Sequence, residues 1–344
     1  MPWIDPIPPQ DLPGHRTSTE EPEDLDRWWG ERLAEARSAA APPSVTPYGG
    51  DVYGPVEVFD VAFSGARGDR IRAWHLRPPG AAAAPVPTVV VFIGYGGGRG
   101  VPVEHLWLPA VGLGAFVMDT RGQGGNWTVG ATGDPGRDDD GPEHPGVMTR
   151  GIARPETYYF TRLIADAVRA VEVAAELDGV DRERIAVGGT SQGGGLALAA
   201  AALVPGLVKV CHADVPFLCD IRRGITICAE DPYKEIADFL AQHDDLVPAA
   251  LETLRYVDCA LLARRITADC LVSVGLMDEV TPPSTVYAAY NEIAAPKELA
   301  VYRFGVHAQP LAHYERRLRH LRSRLLGGSG GGQGSAAEPG PAVR

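Results

Sequence analysis

The run Ala186-Val187-Gly188-Gly189-Thr190-Ser191-Gln192-Gly193-Gly194-Gly195 passes directly into Leu196-Ala197-Leu198-Ala199-Ala200-Ala201-Ala202. Residues 185–188 are a short buried-strand signal after the polar turn Asp181-Arg182-Glu183-Arg184, and the alanine-rich run behind the serine reads as helix. A strand turning sharply into a helix crowds its neighbours, and only residues without a Cβ relieve the clash. Gly189-x-Ser191-x-Gly193 therefore has the form of a nucleophile elbow, which exposes a serine at a strained tip. A chain of 344 residues with 41 Gly can produce those five letters by chance, so the strand before them and the helix after them carry the reading.

Further strand signals lie on both sides. Val56 to Phe63 and Ile71-Arg72-Ala73-Trp74-His75-Leu76 read as a hairpin around a polar turn at 64–70, which should open the sheet. Thr88-Val89-Val90-Val91-Phe92-Ile93 and Ala115-Phe116-Val117-Met118-Asp119 are continuous apolar runs, as expected of strands covered by helices on both faces. Leu163, Ala167, Val171 and Ala174 recur at helical spacing, and Gly179 ends that helix ahead of the elbow strand. Strands at 207–214, 270–274 and 299–302 follow, with a helix at 284–293 between the last two. The alternation predicts an α/β fold built on a mostly parallel, twisted sheet of about eight strands, with its active site at the carboxyl ends.

The organisation expected is one catalytic domain over 51–326. Residues 1–50 form an arm packed on it, with a helix at 24–36 anchored by Trp28 and Trp29. The Gly/Pro/Asp-rich stretch 121–151 reads as an interface or rim loop, because loops of that length are usually functional. Residues 216–265 read as a helical insertion, a lid or cap, and 327–344 as a disordered Gly-rich tail.

A serine hydroxyl needs an adjacent base, and the base needs an orienting partner. Asp278 follows the 270–274 strand through Gly275-Leu276-Met277, and His307 follows the next strand through Arg303-Phe304-Gly305-Val306. The order Ser191, Asp278, His307 is that of an α/β-hydrolase. Glu279, Asp258 and Asp269 are rivals for the acid, and His313 and His320 for the base. The last two fall in a charged helical run that a solvated face explains better.

Acyl transfer also needs donors for the oxyanion. The backbone N–H of Gln192, next after the serine, supplies one, and the loop Gly94-Tyr95-Gly96-Gly97-Gly98-Arg99-Gly100 offers the N–H of Tyr95 as the other. That loop is not a dinucleotide loop, because Arg99 occupies the last glycine the motif requires.

Taken together, these stretches resemble the cephalosporin-C deacetylase and acetyl xylan esterase family, carbohydrate esterase family seven. The resemblance runs from Trp28 through Leu326. It rests on Gly94-Tyr95 with Gly97-Gly98-Arg99-Gly100, Asp119-Thr120-Arg121-Gly122-Gln123-Gly124 and Ser191-Gln192-Gly193-Gly194-Gly195. It continues in Asp214-Val215-Pro216-Phe217, Gly275-Leu276-Met277-Asp278 and Pro282-Pro283-Ser284. It implies an α/β-hydrolase with Ser191, Asp278 and His307 as catalytic triad, Tyr95 and Gln192 as oxyanion amides, and no cofactor or metal. It implies a structural role for Arg121-Gly122-Gln123. It also implies a homo-hexamer whose extended loop packs between subunits, and a small acetylated substrate such as a xylo-oligosaccharide or cephalosporin C. The family carries Glu after the catalytic histidine, where this chain has Ala308.

Composition fits that picture. A formal net charge of -12 argues against nucleic acid or an anionic membrane as partner. No apolar run is long enough to span a bilayer, and the amino terminus lacks the basic-then-apolar pattern of a secretory signal. Five cysteines without C-x-x-C spacing read as buried hydrophobes in a reducing compartment, so a cytoplasmic chain is expected. Other functional readings are a longer-chain carboxylesterase, a thioesterase or a peptidase on the same scaffold, or a catalytically silent binding protein. Asp138-Asp139-Asp140 reads as a solvated acidic turn rather than a calcium loop.

Overall fold

The computed structural model describes residues 5–135 and 145–327. After helix α1 (Leu25–Ser38), strands β1 (Ser44–Pro47), β2 (Glu57–Ser64) and β3 (Arg70–Arg77) form an antiparallel meander. Strands β4 (Val86–Phe92), β5 (Gly114–Met118), β6 (Val180–Thr190), β7 (Val208–Asp214), β8 (Asp269–Gly275) and β9 (Lys297–Tyr302) complete one nine-stranded sheet in the order β1-β2-β3-β5-β4-β6-β7-β8-β9. From β5 to β9 every neighbouring pair is parallel, and β3 joins β5 antiparallel. This is the α/β-hydrolase arrangement expected, with one strand more.

The additional strand, β1, lies outside the hairpin that was expected to open the sheet. It is exposed along its length and carries Pro47, so no buried alternation marks it in the sequence. The polar stretch 181–184, expected as a turn, belongs to β6, where it projects into solvent beyond the core of the sheet. Its pairing with β7 shifts register between Ile185 and Ala186.

Strand side chains alternate between the two faces. Val90, Phe92, Phe116, Met118, Ile185 and Val187 point to one face, beneath α2 (Tyr159–Ala174), α3 (Gln192–Leu203), α7 (Cys259–Leu262) and α8 (Pro283–Glu292). Val89, Ala115, Val117 and Ala186 point to the other, where Leu321 and Leu325 of α9 (Leu311–Leu325) cover them. Helix α3 is buried over Gln192 to Ala202 and carries apolar residues all round, as a helix with packing on every side must.

Between β7 and β8 the chain forms α4 (Ile221–Ile227), α5 (Tyr233–Leu240), α6 (Val247–Arg255) and α7. The amino-terminal segment lies against this side of the molecule. Trp29 is buried and donates its indole N–H to the Tyr256 carbonyl at 2.8 Å, and the buried Asp5 carboxylate accepts from the Ser284 N–H in the first turn of α8. Among the described residues no helix is long and apolar enough to cross a membrane. Asp138, Asp139, Asp140 and the tail beyond Gly327 lie outside the described residues.

Candidate active site

Ser191 stands between the end of β6 and the start of α3 with φ 58° and ψ −120°, a backbone region unfavourable for any residue with a Cβ. Three backbone hydrogen bonds hold it there. Its N–H donates to the Asp214 carbonyl at 2.9 Å, and its carbonyl accepts from Gly195 and Phe217, both at 3.0 Å. The flanking glycines answer to sterics: a Cβ on Gly189 would lie 2.6 Å from the Phe92 carbonyl oxygen, and one on Gly193 only 2.3 Å from it. The serine itself is 9% exposed.

Asp278 and His307 come from the turns after β8 and β9. Those turns are tied together by the Leu276 N–H to the Tyr302 carbonyl and the Met277 N–H to the Gly305 carbonyl, at 3.0 and 2.9 Å. Asp278 is fully buried. Its Oδ1 accepts the N–H groups of Val280 and Thr281 at 2.9 Å, and its Oδ2 accepts the Thr281 hydroxyl at 2.8 Å. His307 Nδ1 lies 2.9 Å from Oδ2 and 3.1 Å from Oδ1. The pair thus orients one imidazole nitrogen and leaves Nε2 for other chemistry. Ser191 and His307 line one cavity of about 480 Å³, together with Tyr95, Trp127, Glu235 and Val280. No hydrogen bond joins their side chains among the described residues. Such contacts are often loose before substrate binds.

The Gln192 N–H is at the first position of α3, where a helix supplies no acceptor. Neither it nor the Tyr95 N–H donates to a protein acceptor among the described residues. The loops carrying these amides are joined by Gln123. Its side-chain oxygen accepts the Gly96 N–H at 2.7 Å, and its amide nitrogen donates to Gln192 Oε1 at 2.8 Å and to the Tyr159 hydroxyl at 2.9 Å. Gln192 in turn donates to the Ile93 carbonyl at 3.1 Å. The Tyr95 ring is fixed at its far end, where the hydroxyl donates to Glu235 at 2.8 Å and accepts the Val147 N–H at 2.9 Å. Burial pushes that phenol well above its ordinary range.

The rival residues go elsewhere. Asp258 caps α7, accepting from Asp220, Ile221 and Ala260, and burial together with the neighbouring Asp220 carboxylate pushes it up to about 7. Glu279 is exposed, and Asp269 is at the opposite end of β8 from Asp278. His313 and His320 are not on a solvated face: both are buried against the sheet. His313 Nε2 lies 2.6 Å from Asp214 Oδ1, and His320 bridges His212 at 3.0 Å and Asp269 at 3.1 Å. Burial alone would raise the Asp214 carboxyl, but Arg317 and His313 hold it below its usual range. Since the Asp214 carbonyl anchors Ser191, α9 braces the elbow from beneath.

Sequence reasoning did not single out Trp127, Glu235 or Thr281. Thr281 lies three residues after Asp278 and so had a local signal. Glu235 and Trp127 enter the cavity from α5 and the loop after β5, and no motif marks either. Cys211, Cys219, Cys228, Cys259 and Cys270 are all free thiols, and all except Cys228 are buried.

Comparison with known proteins identifies the family. The acetyl xylan esterase family model matches residues 1–325. An acetyl esterase of Xylanibacter ruminicola, Axe7A, is 28% identical over 84% of the chain, which spans 64% of that relative's length. Among solved structures, an acetyl xylan esterase from Paenibacillus sp. R4 superposes with TM-score 0.84 at 34% identity, covering 93% of this chain and 100% of the other. Acetyl xylan esterase 1 from Thermoanaerobacterium sp. JW/SL YS485 gives 0.81 at 32% identity, with 92% and 98% covered. The chain belongs to the acetyl xylan esterase family of carboxylic ester hydrolases.

Proposed function

We propose that this protein is a serine esterase that removes acetyl groups from small substrates, acetylated xylo-oligosaccharides and cephalosporin C-like esters among them. The observation that carries the reading is the Asp278–His307 contact at 2.9 Å, made by a histidine that lines the same cavity as Ser191. Ser191 Oγ attacks the acetyl carbonyl carbon, and its proton passes to His307 Nε2. The carbonyl electron pair moves onto oxygen, where the N–H groups of Tyr95 and Gln192 receive the charge. Collapse breaks the bond to the alcohol, which leaves with the proton from His307. Water then adds to the acetyl-enzyme by the same route and releases acetate, while Asp278 keeps the imidazole oriented. The working form we propose is a cytoplasmic homo-hexamer, a reading supported by the family resemblance and the free thiols.

The test is an acyl-length series of p-nitrophenyl esters on wild type and Ser191→Ala in parallel. A maximum at acetate, with wild-type turnover at least ~1000-fold above the variant, is expected from loss of the nucleophile. A maximum at octanoate, or a variant as active as wild type, would overturn the proposal.

A further inference from the structure

Trp127 has an unusual position for an indole. It is 61% exposed, yet it is fixed: its N–H donates to the Tyr95 carbonyl at 2.8 Å. Its benzene edge, at Cζ2, lies against the loop that carries Tyr95. A Cβ on Gly97 would come within 2.4 Å of Cζ2 and one on Gly94 within 3.4 Å, so the loop's glycines make room for the ring. The ring borders the cavity that holds Ser191 and His307. A wall for the acetyl methyl would have to be enclosed. An open, immobile aromatic face suits a group that stays partly in water, which is the alcohol half of the ester.

Beside it, a second cleft of about 460 Å³ runs along Gly122 to Asn126 and meets the first at Tyr95 and Asn126. The Asn126 side-chain amide takes no hydrogen bond among the described residues, although the backbone that carries it is anchored by its N–H to the Gly96 carbonyl at 3.2 Å. A flat apolar face next to an unengaged donor–acceptor pair matches a pyranose, whose C–H face is apolar and whose rim is hydroxylated.

We propose that Trp127 and Asn126 form the subsite for the sugar ring that bears the acetyl group, the indole stacking on its C–H face and the Asn126 amide bonding a hydroxyl. This assignment rests on the reading of the cavity as an acetyl-sugar esterase site. It makes Trp127 a specificity-determining residue that acts mainly through substrate affinity.

The experiment compares kcat/KM on acetylated xylotriose with kcat/KM on ethyl acetate, whose alcohol is too small to stack, for wild type, Trp127→Ala, Trp127→Phe and Asn126→Ala. The ratio cancels any loss common to both esters, such as a loosened oxyanion loop. Trp127→Ala is expected to lower the ratio about tenfold, chiefly through KM on the sugar ester, with Trp127→Phe keeping most of it. In a Ser191→Ala background, calorimetric titration of acetylated xylotriose should show Kd weakened at least ~5-fold by Trp127→Ala. An unmoved ratio with an unmoved Kd overturns the subsite while leaving the esterase reading in place. A wild type that cleaves ethyl acetate but leaves acetylated xylotriose intact overturns the sugar reading itself, and the subsite with it.

Discussion

Gln123 offers the sharpest perturbation of the loops proposed to hold the oxyanion, because one side chain joins three elements. Truncation to alanine leaves the Gly96 N–H, Gln192 Oε1 and the Tyr159 hydroxyl without the partners they have at 2.7, 2.8 and 2.9 Å. At about 1 kcal/mol for each partly buried group left short, the expected loss of stability is about 3 kcal/mol. The larger consequence falls on rate. Removing an oxyanion donor outright costs about 100- to 1000-fold in kcat, and loosening the loop that carries one should cost part of that, about 10- to 100-fold. The loss should fall on kcat, with KM on p-nitrophenyl acetate changing less than about threefold, because the interaction matters most in the transition state. Gln123→Met keeps the volume while removing every hydrogen bond, so it separates lost bonding from a cavity. Steady-state kinetics well below each variant's melting temperature, with urea unfolding in parallel, measures both quantities. A Gln123→Met enzyme with kcat within twofold of wild type would refute the reasoning.

Three further expectations concern pH, the elbow and helix α1. His75 is buried on β3 beside the ring of Phe59, and burial, aided by the charge of Arg77, lowers it from 6.5 to about 4. The unfolded chain therefore binds more protons between those values. The stability His75 contributes is whole above pH 6.5 and declines as pH falls towards 4, by about 3 kcal/mol. His75→Leu should flatten that part of the urea-midpoint profile, and an unaltered slope would contradict it. Gly193→Ala would press a methyl to 2.3 Å from the Phe92 carbonyl oxygen and should cost at least ~2 kcal/mol together with most of the activity. Gly30→Ala in α1, with open space around it, should instead stabilise by about 0.5–1 kcal/mol. Thermal melts giving both variants the same shift would show that the crowding argument is wrong.

Much of this fold was legible because a sheet covered on both faces leaves continuous apolar runs, and because Ser191, Asp278 and His307 each follow such a run. Where burial did not leave apolar letters, the sequence was silent or misleading. Strand β1 is exposed on both faces and has no pattern to show. Helix α9 is dense in arginine, and its buried stripe is made partly of His313, Arg317 and His320, which pair with Asp214, His212 and Asp269 in place of apolar contacts. Polar pairing of that kind depends on residues from about fifty to about a hundred positions away, so the same letters read as a solvated face. Trp127 and Glu235 enter the cavity from segments of irregular backbone or short helix, where neither periodicity nor spacing marks a position. Gln123 was visible as part of Arg121-Gly122-Gln123, but its link to Gln192 needs two loops to meet, and only the folded sheet brings them together.

The central claim is that Ser191 is the nucleophile of a triad completed by Asp278 and His307. Fluorophosphonate treatment followed by intact mass and peptide mapping tests it directly. The expected result is a single adduct on the Ser191 peptide, rising in step with loss of acetate-ester hydrolysis and missing in Ser191→Ala. An active protein that takes no label, or one labelled at another residue as activity falls, would contradict it.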